Sequence, residues 1–188
     1  DALKNIDFKT RTEKPEHTTL TLVRIGTCGG LQLNCPAGTF VASQKSIGFD
    51  GLINFYARRN EICDLETEAE FKRQVKWNDQ IGNPYCVDNN PELLNQIAGD
   101  DMVRGITIAC GGFYGPQGRE LRAPLADPEL LRVNNFEMES SALAGLSLLL
   151  GHKALTCCMV IANRRALSAN TGYKSTIDNL IKVVLDRI

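Results

Sequence analysis

Alternating and apolar runs, punctuated by glycine and proline, divide the chain into strands and helices. Thr19–Ile25 alternates β-branched and other residues and ends at Gly26, which predicts a strand running into a tight turn. Gly38–Ile47 reads as a second strand and Val103–Ala109 as a third, the latter leading into the Gly-rich segment Cys110–Gly118. Ala154–Ala162 is a continuous apolar run of the kind buried on both faces of a sheet. Asp64–Asp79 is charged with a helical period, its apolar points being Phe71, Val75 and Trp77. Asn90 before Pro91 is a capping residue followed by a first-turn proline, so a helix is predicted from Pro91 to about Gly99. Glu137–Leu150 reads as a helix with Met138, Ala142, Leu146, Leu149 and Leu150 on its apolar face and Gly151 as its stop. Ser175–Ile188 reads as a closing helix, with Ser175 and Asp178 at capping-box spacing. Strands alternating with helices imply an α/β fold whose sheet is covered on both sides. There is no internal repeat and no linker, so residues 1–188 are expected to form one domain.

Composition narrows the function classes. The chain has 188 residues, 43% hydrophobic and 23% charged, enough for one domain with a core. Its net charge of −1 argues against a nucleic-acid partner held by a basic surface, while leaving room for a small anion held by a few cations. No apolar run is long enough to span a bilayer and no signal peptide opens the chain, so no membrane partner is expected. The seven cysteines are scattered without metal-ligand spacing; free core thiols in a reducing, cytoplasmic setting are the expectation. With only His17 and His152, a histidine triad or a multi-histidine metal site is hard to build, and no metal is expected. His152 follows Gly151 and reads as part of a helix cap, and His17 lies in a charged loop.

Open α/β sheets place ligands at the carboxyl ends of strands. Arg24–Gly30, Cys110–Arg119 and Ile161–Arg165 fit that position, and Asn134–Ser140 precedes a helix. A Gly-flanked turn with the Thr27 hydroxyl and the Arg24 fork suits an oxyanion. Gln117 and Arg119 offer an amide and a guanidinium, complementary to the O2, N3–H and O4 edge of uracil. Each segment alone also fits a plain structural part: a strand-end arginine, a polar loop, carboxylates favoured by a helix N-terminus, or arginines closing a core strand.

Four segments in one order change that balance. Arg24-Ile25-Gly26-Thr27-Cys28-Gly29-Gly30, Gly112-Phe113-Tyr114-Gly115-Pro116-Gln117-Gly118-Arg119, Asn135-Phe136-Glu137-Met138-Glu139-Ser140 and Ile161-Ala162-Asn163-Arg164 resemble nucleoside phosphorylases of the uridine type. The resemblance covers nearly the whole chain and is weakest from Leu52 to Asn90, a longer and more charged stretch expected to form a lid or an oligomer contact. It implies a three-layer fold with a central mixed β-sheet flanked by helices. It also implies that the family's N-terminal segment is missing here, in keeping with an opening at Asp1 without methionine.

The activity implied is phosphorolysis of uridine to uracil and ribose 1-phosphate, with inorganic phosphate as co-substrate and no cofactor. By resemblance Arg24 and Thr27 hold phosphate, with Cys28 and Gly29 in the same turn. Gln117 and Arg119 take up the negative charge of the leaving base, and Phe113 packs on its ring. Glu139 accepts from the ribose hydroxyls, Met138 and Phe136 lie against sugar and base, and Glu137 stands beside them. Ile161 and Ala162 form an apolar wall and Arg164 serves the base site. Purine-type relatives carry an aspartate after the corresponding strand, where this chain has Ile161-Ala162-Asn163-Arg164 and no carboxylate. The alternatives are a purine nucleoside phosphorylase, a nucleosidase, or a silent nucleoside-binding homologue. A homo-oligomer built from dimers, up to a hexamer, is implied as well.

Overall fold

In the computed structural model, which describes residues 2–112 and 132–188, a mixed sheet carries flanking helices on both faces. Phe113, Gln117 and Arg119 lie outside the described residues. The strands are β1 (Ile6–Asp7), β2 (Thr12–Glu13), β3 (Thr21–Gly30), β4 (Phe40–Gly48), β5 (Tyr85–Asp88), β6 (Met102–Ala109), β7 (Val133–Glu137), β8 (Lys153–Asn163) and β9 (Ser168–Ala169). The helices are α1 (Ala2–Asn5), α2 (Arg59–Ile62), α3 (Leu65–Val75), α4 (Pro91–Ile97), α5 (Ser140–Leu150) and α6 (Tyr173–Arg187), with a 3₁₀ turn over Leu52–Phe55.

The sheet runs β5-β4-β6-β7-β3-β8-β9, and β4 pairs a second time with β8 through Val41 and Cys158. That extra pairing closes β4, β6, β7, β3 and β8 into a five-stranded barrel. β4, β6 and β7 run one way; β3 and β8 run the other. So small a barrel has room only for small side chains inside it. Cys28, Cys35, Val41, Cys158 and Val160 cluster there with Val103. A line of polar groups crosses the same interior. Ser43 Oγ lies 2.6 Å from Thr107 Oγ1, and Thr107 Oγ1 donates to Asn135 Oδ1 at 2.9 Å.

Outside the barrel, α4 and α6 cover one side with Leu93, Leu94, Ile97, Leu180 and Val184 against Leu155, Cys157 and Met159. On the other side Phe71 and Val75 of α3 pack against Ile47, Ile108 and Phe136, and Phe49 and Trp77 complete an aromatic cluster. This is the α/β arrangement of central mixed sheet and flanking helices that the sequence implies.

Several local expectations hold at their residues. Asn90 accepts from Leu93 N at 3.0 Å with Pro91 opening α4, although the helix closes at Ile97, before Gly99. Gly151 ends α5 in the left-handed region at φ 71°, and β8 is buried along most of its length. The helix expected over Asp64–Asp79 forms over Leu65–Val75, with Asp64 capping it through Thr67 N, and stops before Trp77. His152 joins the end of α5 through its backbone N–H to Ser147 O, and its ring accepts from Leu20 N.

Others are corrected. No turn begins at Gly26: β3 continues to Gly30 because its backbone stays paired with β8 and then with β7. The helix predicted from Glu137 begins at Ser140, and Glu137 instead ends the strand β7, whose Asn134 and Asn135 find buried partners. α5 buries its small residues Ser140, Ser141, Ala144, Gly145 and Ser147 against the sheet, while Leu146 and Leu149 are only partly covered and Met138 is exposed. A Cβ at Gly145 would come within 2.6 Å of the Ile53 side chain, and one at Gly48 within 2.7 Å of Ser141 Oγ, so this face of the helix takes small residues. The capping box at Ser175 does not form; α6 starts at Tyr173, and Ser175 Oγ donates to Gly172 O. β5 (Tyr85–Asp88) adds an edge strand within a stretch to which the hydrophobic pattern assigns none.

Candidate active site

The site is built where β7 ends and α5 begins. Glu137 is the last residue of β7, and alternation puts it on the same face as Asn135, at the mouth of the barrel. Its side chain is 1% exposed, so its charge must be matched by donors. Glu139 N donates to it at 2.9 Å, Ser140 N at 3.0 Å and Ser140 Oγ at 2.6 Å. These are free groups at the start of α5, so the carboxylate caps the helix from outside it.

Arg24 completes the ion cluster from β3. Its Nη1 lies 3.2 Å from Glu137 Oε2 and donates to Cys158 Sγ at 3.3 Å, and its Nη2 pairs with Glu139. The side chain folds back over Gly26, where a Cβ would come within 2.7 Å of Nη1. Gly26 therefore serves close approach rather than a turn. Burial opposes the Arg24 charge, but the Cys158 sulfur and the two carboxylates outweigh it, and its pKa is raised. Glu139 has a side chain 58% exposed. One guanidinium thus joins a buried, fully bonded carboxylate to an exposed one able to exchange partners.

The other predicted residues are placed as follows. Thr27 pairs with Met159 and alternates onto the face of Val23 and Ile25, opposite the face of Arg24. The expected Arg24–Thr27 oxyanion turn is therefore not formed, because the strand never breaks. Cys28 lies inside the barrel, packed in the core, where burial pushes its thiol well up and keeps it protonated. Gly29 sits at a β-bulge between Phe136 of β7 and Ala162 of β8. Phe136, expected against a base, is buried with Ile47, Ile108 and Cys110. Met138 is exposed beside Glu139. Ile161 is half-buried, and Ala162 and Arg164 are exposed at the far end of β8. Arg24 pairs with Thr156, whereas Gly30 pairs with Asn163. Arg164 therefore lies roughly 26 Å along the strand from the backbone of Arg24, and the two do not share one mouth of the barrel. Gln117, Arg119 and Phe113 lie outside the described residues.

Two features went unread in the sequence. Cys158 looked like a core thiol, yet it holds the guanidinium. Asn163 is 1% exposed and bonded throughout: Nδ2 donates to Gln32 O and Cys35 O, and Oδ1 accepts from Arg165 N and Ala166 N. That uses the whole hydrogen-bonding capacity of an amide. Among the described residues no cluster of three or more His, Cys, Asp or Glu is placed to hold a metal ion, and no helix is long and apolar enough to cross a membrane.

The profile of the Phosphorylase superfamily matches residues 13–184. The chain belongs to this superfamily. Among curated phosphorylases, it is 26% identical over 155 residues to Uridine phosphorylase of Thermococcus kodakarensis, covering 77% of this chain and 49% of that protein. It is 28% identical over 160 residues to Uridine phosphorylase A of Schistosoma mansoni, covering 76% of this chain and 47% of that one. The superfamily member described here thus spans about half the length of the curated relatives it matches. Its fold is similar to the crystal structure of a Trypanosoma brucei nucleoside phosphorylase that shows uridine phosphorylase activity. That likeness has a TM-score of 0.71 over 99% of this chain and 72% of that one, at 22% identity.

Proposed function

We propose that this phosphorylase-superfamily chain carries the nucleoside-binding half of a uridine phosphorylase, which converts uridine and phosphate to uracil and ribose 1-phosphate. The observation that carries the reading is Arg24 shared between buried Glu137 and exposed Glu139. In the reaction, phosphate attacks C1′ from the side opposite the base. Arg24 supplies positive charge to the nucleophile. Glu139 accepts from the ribose hydroxyls and favours the cationic character that builds on the sugar. Gln117 and Arg119 donate to the uracil oxygens, which become more negative as the glycosidic bond breaks, so they bind the transition state more tightly than the substrate. No cofactor is invoked, and a homo-oligomer is the expected working form.

The segment Ile161-Ala162-Asn163-Arg164 supports a pyrimidine rather than a purine substrate. By resemblance, purine-type relatives carry an aspartate after the corresponding strand to handle a base proton, and this segment has no carboxylate. Its Asn163 is an amide whose every position is taken up by backbone groups.

The test is uracil release from uridine by the full-length protein, followed by ultraviolet absorbance with and without phosphate, with inosine in parallel. Phosphate-dependent release of uracil supports the reading. Release independent of phosphate would make the protein a nucleosidase, and faster turnover of inosine would make it a purine enzyme. Uracil binding in calorimetry without turnover would make it a silent homologue.

A further inference from the structure

Glu139 is held in place from a second side. Behind the first turn of α5, Ser141 is fully buried and its Oγ donates to Asp50 Oδ2 at 3.1 Å. The Tyr85 hydroxyl, also fully buried, lies 3.0 and 3.2 Å from the two Asp50 oxygens and 3.0 Å from Ser141 Oγ. Asp50 is itself fixed by Leu52 N at 2.7 Å, in the bend that follows β4. Three distant pieces of chain, the end of β4, the start of β5 and the start of α5, therefore meet at one carboxylate.

The approach is close by construction. Gly48 lies at the junction, and a Cβ there would run into the Tyr85 ring and come within 2.7 Å of Ser141 Oγ. Two buried hydroxyls donating to one carboxylate make charge-assisted bonds, among the stronger directional contacts available to a fold, although Asp50 itself is exposed on its other side. A helix start held only by Glu137 could still pivot about that residue. Gripped also at Ser141, it is fixed at two points, and Glu139 lies midway between Glu137 and Ser141.

We infer that Tyr85, acting through Asp50 and Ser141, is a positioning residue that sets the Glu139 carboxylate for the nucleoside. The inference rests on the reading of Glu139 as the ribose ligand. It extends the functional machinery to β5, which none of the resembling segments includes. Ribose recognition then depends on a tyrosine that touches no substrate, because the carboxylate must meet two hydroxyls at once and a small tilt of the helix spoils both bonds.

The experiment compares the KM for uridine, kcat at saturation and thermal stability in the full-length protein for Y85F, S141A, S141T and E139Q. Y85F and S141A are expected to raise the KM for uridine about tenfold with kcat within about twofold, the loss of one charge-assisted bond being of that order. S141T keeps the hydroxyl and is expected to restore KM. If E139Q raises KM while Y85F and S141A leave it unchanged and only lower the melting temperature, Tyr85 is structural and the inference is overturned. If E139Q itself leaves KM unchanged, the reading of Glu139 fails and takes this inference with it.

Discussion

Replacing Glu137 by glutamine isolates the central claim about the site, that one carboxylate of the pair is structural and the other exchangeable. Glutamine keeps the size of the side chain and removes its charge. The carboxylate accepts from Glu139 N, Ser140 N and Ser140 Oγ and pairs with Arg24 Nη1. The serine hydroxyl can rotate to accept from the new amide, so that contact survives. The other three contacts drop from charge-assisted to neutral or are lost, at about 1 kcal/mol each. The sum of about 3 kcal/mol sits at the low end of the range for breaking a buried ion pair, as it should, because Arg24 keeps Glu139 as a partner. In E139Q the group removed is more than half exposed, and the expected loss is below about 1 kcal/mol. Urea unfolding at neutral pH measures both. At an m-value of about 2 kcal/mol/M, E137Q lowers the midpoint by about 1.5 M and E139Q by less than about 0.5 M, with m unchanged. Equal losses in the two variants, or a larger one in E139Q, would refute the division of roles.

Three further outcomes follow from other parts of the fold. Burial works to raise the Asp64 carboxyl, but the Lys45 ammonium at 2.7 Å and the Thr67 donors outweigh it and hold its pKa down at about 2, against 3.8 for the free group. A depressed carboxylate contributes stability above pH 4 and loses it as the pH falls towards 2. The contribution is on the order of 2 kcal/mol, and the acid limb of the stability curve of D64N should be flatter by that amount in urea titrations from pH 5 to 2. N163D puts a carboxylate oxygen against Gln32 O and Cys35 O in a buried position, so a loss of at least about 3 kcal/mol is expected, seen as a melting temperature lower by about 6–12 °C. G48A forces a methyl group between the Tyr85 ring and Ser141, at a cost of about 1–3 kcal/mol by chemical denaturation, whereas alanine at exposed Gly82 is free of any such clash.

What the sequence by itself determined lies where cause and effect are a few residues apart. Asn90 and Pro91 start a helix because the cap and the missing N–H act within one turn, and Gly151 stops one because it alone enters the left-handed region without strain. The long apolar run Ala154–Ala162 had to be a buried strand of an α/β sheet. The same local reasoning failed at Gly26, read as a turn, and at Asn134–Glu137, where polar residues masked a strand whose partners lie inside the barrel. Only the tertiary structure decided which residues meet. Arg24 reaches Glu137, Glu139 and Cys158 from more than a hundred residues away. It does so because β3 runs antiparallel to β7 and parallel to β8, and because the second pairing of β4 with β8 closes the barrel around their small side chains. A strand's alternation is written in its sequence, but its neighbours and register are set by burial across the whole sheet. That is why Thr27 parted from Arg24, and why Tyr85 and Asp50 came to stand behind Glu139.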